Sequence, residues 1–208
     1  MFILACLEDK IRVVPSDLDS KSITAVTSVI EQTYIDKVVA DLGLVMSLYD
    51  VQQIEGGFIY PSEGSAHFQT KFRLVVFRPF VGEVIVGKLT KSSKEGLHVS
   101  VGFFDDIFIP EYSLQEPSFF NEAEQLWFWK FDGNEMYMDL DEPIRFRVKD
   151  LKFKPTPLPA ALKDAAAEDS LPGTAANPFA PMEVIGEINE DGLGLLNWWQ
   201  EGGDAMED

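Results

Sequence analysis

The sequence predicts an α+β domain over residues 1–80, followed by an all-β barrel over 81–154. Three observations carry that prediction. Ile23, Val26, Ile30, Tyr34 and Val38 recur at steps of three and four between Ser22 and Ala40, which marks one amphipathic helix. "AHFQTKFRLVVF" alternates with period two, with Phe68, Thr70, Phe72, Leu74 and Val76 on one face, which marks a half-buried strand. After Pro79 and Gly82 no helical periodicity of any length returns, and strand follows strand.

In chain order, "MFILACLEDKIRVV" reads as a first strand, interrupted near Glu8–Asp9 and closed by Pro15, with Cys6 pointing inward. Asp17, Asp19, Ser20 and Ser22 are candidate N-caps for the helix, and Gly43 stands just past its end, where a left-handed cap is wanted. The helix is rich in Thr and Val, so it needs a sheet to pack against. "LGLVMSLYDVQQI" follows as a strand. "EGGFIYPSEGS" then reads as a long turn, with Gly56, Gly57, Pro61 and Gly64 around the apolar Phe58, Ile59 and Tyr60. Two readings of that turn stand: a short strand between two turns, or a loop that docks into another protein.

The second domain reads as five strands: "GEVIVGKLTK", "GLHVSVGFF", "DDIFIPEYSL", "EQLWFWKFDGNEMYMDL" folded about Asp132–Gly133, and "EPIRFRVKDLKF". Five short strands suit a small closed barrel, of which the OB-fold is the commonest. Residues 155–181 are Pro- and Ala-rich, a linker or insertion; 182–199 regain strand character and end in an apolar clasp, "GLGLLNWW"; 200–208 form an acidic tail. The clasp is expected to pack Leu195, Trp198 or Trp199 on the barrel or on a partner.

Composition narrows the function. The net charge is −18, and residues 155–208 carry 11 acids and a single base, Lys163. That argues against a protein held on nucleic acid by its overall field, while leaving room for a local basic face. The single cysteine excludes an internal disulfide or a multi-Cys zinc site and suits a reducing compartment. No apolar run approaches the roughly 18 residues of a membrane span. The apolar start, Met1 to Leu7, is too short for a signal peptide and lacks its basic flank.

Two motif look-alikes fall away. "GLGLLN" lacks the third glycine of a dinucleotide loop and has no βαβ unit after it. "GEVIVGK" has the spacing of a phosphate loop, but Val84-Ile85-Val86 is a stiff extended run and Leu89 stands where a hydroxyl is needed. His67 and His98 lie in different domains, and Asp105–Asp106 and Asp141–Glu142 point to opposite faces of their strands. The sequence therefore assigns no catalytic residue, metal or cofactor. One constellation survives: Arg145, Arg147 and Lys149 alternate with Ile144, Phe146 and Val148, which makes a basic stripe outside a barrel strand. Lys88, Lys91, Lys94 and His98 extend it, with Phe103, Phe104 and the Trp127–Phe128–Trp129 run as nearby aromatics. Such grooves bind single strands; an ordinary solvated strand face is the alternative.

"GFIYPSEGSAHFQTKFRLVVFRPFVGEVIVGKL" followed by "EGLHVSVGFFDDIFIP" resembles the larger stalk component of archaeal and eukaryotic DNA-dependent RNA polymerases, the archaeal E-type family, over most of residues 1–154. "RLVVFRPFVGE", "LQEPSFF" and the terminal "GLGLLNWW" resemble its RNA polymerase III version. The resemblance implies a non-catalytic nuclear stalk subunit with an N-terminal tip domain and an RNA-binding OB barrel. It implies a small helical partner, with which the chain forms a stalk beside the RNA exit path. It also implies docking on the polymerase III core through the tip loop, about Glu55 to Ser65, weak contact with emerging single-stranded RNA, and a role in initiation with its factors. One departure is local: many such barrels have Gly-Leu-Ile-His where this chain has Asp106-Ile107-Phe108-Ile109, which shifts the expected RNA contact to the Arg145 stripe. A free OB-fold RNA-binding factor is the alternative, and it would have no use for apolar residues in the Gly56–Gly64 loop.

Overall fold

The computed structural model describes residues 1–19, 21–61, 63–154 and 180–199. They divide into two compact units, Met1–Arg78 and the residues from Pro79 on. The expected contents of the 155–181 segment and the acidic tail lie outside the described residues, apart from Ala180 and Pro181.

The first unit contains β1 (Phe2–Val13), α1 (Ser22–Tyr34), β2 (Val38–Val39), β3 (Gly43–Ile59) and β4 (Ala66–Phe77). Its antiparallel sheet has the order β1-β4-β3-β2. α1 covers one face: Ala25, Val26 and Ile30 pack with Ala5, Ile11 and Val13 of β1 and Phe72, Leu74 and Val76 of β4.

Several sequence expectations change here. β1 runs unbroken through Glu8–Asp9, paired with β4 from Phe2↔Phe77 to Val13↔Ala66. Asp9 sits in register with the inward residues Leu7 and Ile11, and its carboxylate accepts a hydrogen bond from the Tyr34 hydroxyl at the end of α1. Burial and this bond push the Tyr34 pKa up to about 12. Cys6 is exposed rather than inward, because the even-numbered residues of β1 face away from α1. The helix stops at Tyr34, not Ala40. Ile35 is already extended, Asp36 takes a left-handed φ of 59°, and β-branched Val38–Val39 pairs with Gly43–Leu44 instead. Gly43, at φ 133°, therefore serves that hairpin and not a helix cap, and a Cβ there would fall 2.4 Å from the Phe77 carbonyl oxygen. The N-cap is Lys21, with no side-chain bond, so Asp17 and Asp19 do not cap; Ser22 is the first helical residue, and Ser20 lies outside the described residues.

β3 carries register shifts at Val45/Ser47, Leu48/Asp50, Val51/Gln53 and Gly56/Phe58. Each inserts one extra residue against β4. Its inward residues accordingly come every third position: Val45, Leu48, Val51 and Ile54. The strand also extends into the stretch read as a long turn, as far as Ile59, pairing Phe58 with His67 and Ile59 with Ala66.

The second unit contains β5 (Val84–Ser93), β6 (Gly96–Ser100), β7 (Ile107–Pro110), β8 (Ser118–Asn121), β9 (Leu126–Phe131), β10 (Asn134–Tyr137), β11 (Pro143–Phe153), β12 (Met182–Glu187) and β13 (Gly194–Leu195), with a final 3₁₀ turn at Leu196–Trp199. Five of these strands close a ring in the order β5-β6-β7-β12-β11, with β11 returning to β5. The β7–β12 pair is parallel and the other pairs are antiparallel. That is the OB barrel, filled by Leu89, Leu97, Val99, Ile107, Ile109, Ile144, Phe146, Val148 and Val184. Gly87 leaves room for Val99 and Gly186 for Phe146: added Cβ atoms would lie 2.5 Å from Val99 Cγ1 and 2.9 Å from the Phe146 ring.

The membership of the barrel corrects the expected strand list. The Trp-rich segment is not a barrel strand: β9 sits between β8 and β10 in a separate three-stranded sheet. It carries large aromatics on both faces, Phe128 against Phe119 and Tyr137 on one and Trp127 against Phe120 on the other. A barrel interior this narrow accepts only one such face. The ring closes instead through β12, so Arg145, Arg147 and Lys149 ride on its fourth strand in chain order.

Candidate nucleic-acid interface and docking turn

Alternation along β11 buries Ile144, Phe146 and Val148 and turns Arg145, Arg147 and Lys149 outward. The structure then covers much of that stripe with the chain's own later residues. Arg145 Nη1 donates to the Gly192 carbonyl oxygen at 3.1 Å. Arg147 is ion-paired with Glu190. Lys149 reaches Ser113 Oγ at 3.2 Å and Glu187 at 3.5 Å, with its ammonium 5.3 Å from the centre of the Tyr112 ring. The stripe is thus partly neutralised within the molecule.

The residues read as its extension form a more open surface. Register places Lys91 opposite His98 and His98 opposite Phe108, one row across β5, β6 and β7. The His98 and Phe108 rings lie 5.1 Å apart. Lys88 and Ser100 form the next row. Lys94, on the β5–β6 turn, pairs with Glu122 at 2.8 Å, and Lys88 with Asp141 at 2.8 Å. Both pairs are well exposed, a setting in which ion pairs are weak and readily exchanged. His98 differs from the cation the sequence suggested. Burial, and then the Lys91 charge, hold its pKa below the usual histidine value, and its buried Nε2 has no hydrogen-bond partner. At neutral pH it is a neutral ring that can stack and accept.

Phe108 is a member of this row that the sequence reading did not single out. Its signal lay in the alternation of "IFIP", where Ile107 and Ile109 are buried and Phe108 lies between them. The other aromatics divide: Phe103 is exposed, whereas Phe104, Trp127 and Trp129 are buried.

In the first unit the apolar trio occupies the end of β3. Phe58 is 72% exposed, Ile59 59% and Tyr60 47%. Gly56 and Gly57 have φ of 96° and 84°, and a Cβ on Gly57 would press to 3.1 Å from Phe68. The bulge at this point turns Phe58 into register with His67 on the outer face. Lys10 Nζ donates to the Tyr60 hydroxyl at 3.1 Å, and the His67 ring meets Tyr60 edge-on at 5.1 Å. Glu63 ties the turn down through His67 at 3.0 Å and Arg12 at 2.8 Å, and these partners lower its pKa. Pro61 and Gly64, at φ 71°, complete the reversal into β4. Three exposed apolar side chains are therefore held on an anchored turn.

A closed OB barrel with this C-terminal clasp also matches a known sequence pattern. Residues 83–199 match the family model described as RNA polymerase III subunit Rpc25. The chain belongs to the Rpc25 family. Residues 8–64 match the model of the SHS2 domain found in N terminus of Rpb7p/Rpc25p/MJ0397, so the helix-bearing first unit is an SHS2 domain. Among relatives of Rpc25 type, DNA-directed RNA polymerase III subunit RPC8 of Bos taurus is 39% identical over 96% of this chain and 98% of its own. The subunit rpc8 of Schizosaccharomyces pombe is 37% identical over 96% of this chain and 100% of its own. The archaeal DNA-directed RNA polymerase subunit Rpo7 of Sulfolobus acidocaldarius is 25% identical over 51% of this chain and 58% of its own. The Rpc25 match includes β12, which closes the barrel, and Glu190 and Gly192, which partner the stripe.

Proposed function

We propose that this protein is the non-catalytic stalk subunit of nuclear DNA-directed RNA polymerase III. In this reading it docks on the core enzyme with a small helical partner, supports initiation with its factors and contacts emerging RNA. The observation that carries the proposal is the near full-length similarity to RPC8 subunits, combined with an exposed apolar trio on an anchored turn. Phe58, Ile59 and Tyr60 are the residues assigned to core docking, with Gly56, Gly57, Pro61 and Gly64 setting their geometry. Exposed Phe80, Val81, Val84 and Val86 in the second unit supply apolar surface for the helical partner.

RNA is assigned to the β5–β6–β7 face. Lys88, Lys91 and Lys94 provide charge, and His98 and Phe108 provide a platform for bases. Arg145, Arg147 and Lys149 border this face, where Glu187 and Glu190 compete with phosphate. The proposal is tested by affinity purification of the tagged chain. Stoichiometric recovery of polymerase III subunits is expected, and recovery of the chain alone would refute it.

A further inference from the structure

A cleft of about 430 Å³ in the second unit is lined by none of the residues that the RNA or the docking reading assigns. It is lined by Glu111, Tyr112, Gln115, Glu116, Phe119 and Trp127, among others. Trp127 forms a buried wall, fixed by its indole N–H donating to the Ser93 carbonyl oxygen at 2.7 Å. Tyr112 is 70% exposed and Phe119 47%. Both rings already have a cation beside them: Lys149 near Tyr112, and Lys130 with Nζ 5.3 Å from the Phe119 centroid. Those lysines are themselves paired, Lys149 with Glu187 and Lys130 with Glu135 at 3.4 Å. The titratable residues in the lining itself are Glu111, Glu116 and Tyr112.

The cleft also borders β8, an edge strand whose one pairing among the described residues is with β9. An edge strand presents unpaired backbone groups to any extended chain. We propose that this cleft binds an extended, cationic segment of a partner protein, added as a strand along β8. The segment places an aliphatic or proline side chain between Tyr112 and Phe119, and its Lys or Arg meets Glu111 and Glu116. Strand addition supplies main-chain bonds and alternate pockets give selectivity. The charge of the lining decides the class of partner: two carboxylates repel a phosphate backbone and attract ammonium or guanidinium groups. This inference does not depend on the RNA reading.

The experiment selects phage-displayed random decapeptides on the full-length chain and measures the enriched peptides by fluorescence anisotropy. Enrichment of Lys or Arg alternating with aliphatic residues is expected. The exposed-residue variant Y112A/F119A and the isosteric variant E111Q/E116Q should each weaken binding at least tenfold, with the thermal midpoint unchanged. Peptides without excess positive charge would overturn the proposal, as would equal affinity for Y112A/F119A. Octauridylate binding that is lost in Y112A/F119A would also overturn it and make the cleft a nucleic-acid site.

Discussion

Trp198 stacks on Trp129 with ring centroids 5.4 Å apart, and its far edge lies directly over Gly194. A Cβ on Gly194 would fall 2.5 Å from the Trp198 ring, at a backbone φ of 98°. The C-terminal turn is thereby joined to β9, and Leu195, fully buried, pairs with Ile144 on the barrel. Trp198→Ala should destabilise the protein by about 2–3 kcal/mol, since a partly buried indole and its stacking partner are lost. Gly194→Ala should cost at least about 1 kcal/mol through strain and overlap. Urea denaturation of both variants checks this. Trp199, more exposed and held by one bond to the Leu193 carbonyl oxygen at 3.1 Å, should matter less.

Replacing the trio on the anchored turn, as F58S/I59S/Y60S, should leave the thermal midpoint within a few degrees of the parent, because all three side chains are exposed. Co-purification with the polymerase core should fall at least tenfold. Deleting Phe58–Gly64 is a poorer test, because it removes the Phe58↔His67 and Ile59↔Ala66 pairs of the sheet.

On the barrel, Phe108→Ala should weaken octauridylate binding at least fivefold, in line with stacking worth about 1–3 kcal/mol per base. K88E/K91E should weaken it further and flatten its salt dependence, whose slope scales with the phosphates neutralised. Anisotropy titrations at two salt concentrations separate the two effects. Arg147→Ala, by contrast, should register mainly in the thermal midpoint, because its partner is Glu190 of the same chain.

The Tyr34–Asp9 bond makes a pH prediction. Folding raises the Tyr34 pKa to about 12, whereas an unfolded tyrosine ionises near 10. The unfolded chain therefore loses this proton first. The pair's contribution is complete below about pH 10 and is lost as pH climbs towards about 12. Denaturation of the parent and Tyr34→Phe across that window should show the variant lacking this part of the alkaline decline.

Local pattern revealed most of this architecture, and long-range pairing limited the rest. β4 and α1 were legible because one period runs through each. β3 was legible as a strand but not in its facing, because its bulges convert a period of two into Val45, Leu48, Val51 and Ile54. The barrel was legible as a barrel, but its fifth strand lies beyond the Ala/Pro segment, while the nearer Trp-rich strand completes a sheet of its own. The stripe at Arg145, Arg147 and Lys149 was visible as alternation. Its partners Gly192 and Glu190 stand 47 and 43 positions later for the two arginines, and nothing in the alternation announces them. His98 was visible as a histidine, but only the fold shows the burial that keeps it neutral.

The β11–β12 ladder ends with Phe153 opposite Met182, and the Lys154 N–H donates to the Pro181 carbonyl oxygen at 2.9 Å. Lys154 and Pro181 thus stand at adjacent points at the end of that ladder. For a flexible connection between two adjacent points the closure cost grows only logarithmically with length, about 0.6 kcal/mol per doubling. The site is a natural port for engineering. A fluorescent domain inserted there, or a short Asn-Gly turn put in its place, should leave the β5–β6–β7 face and the Phe58–Tyr60 turn intact.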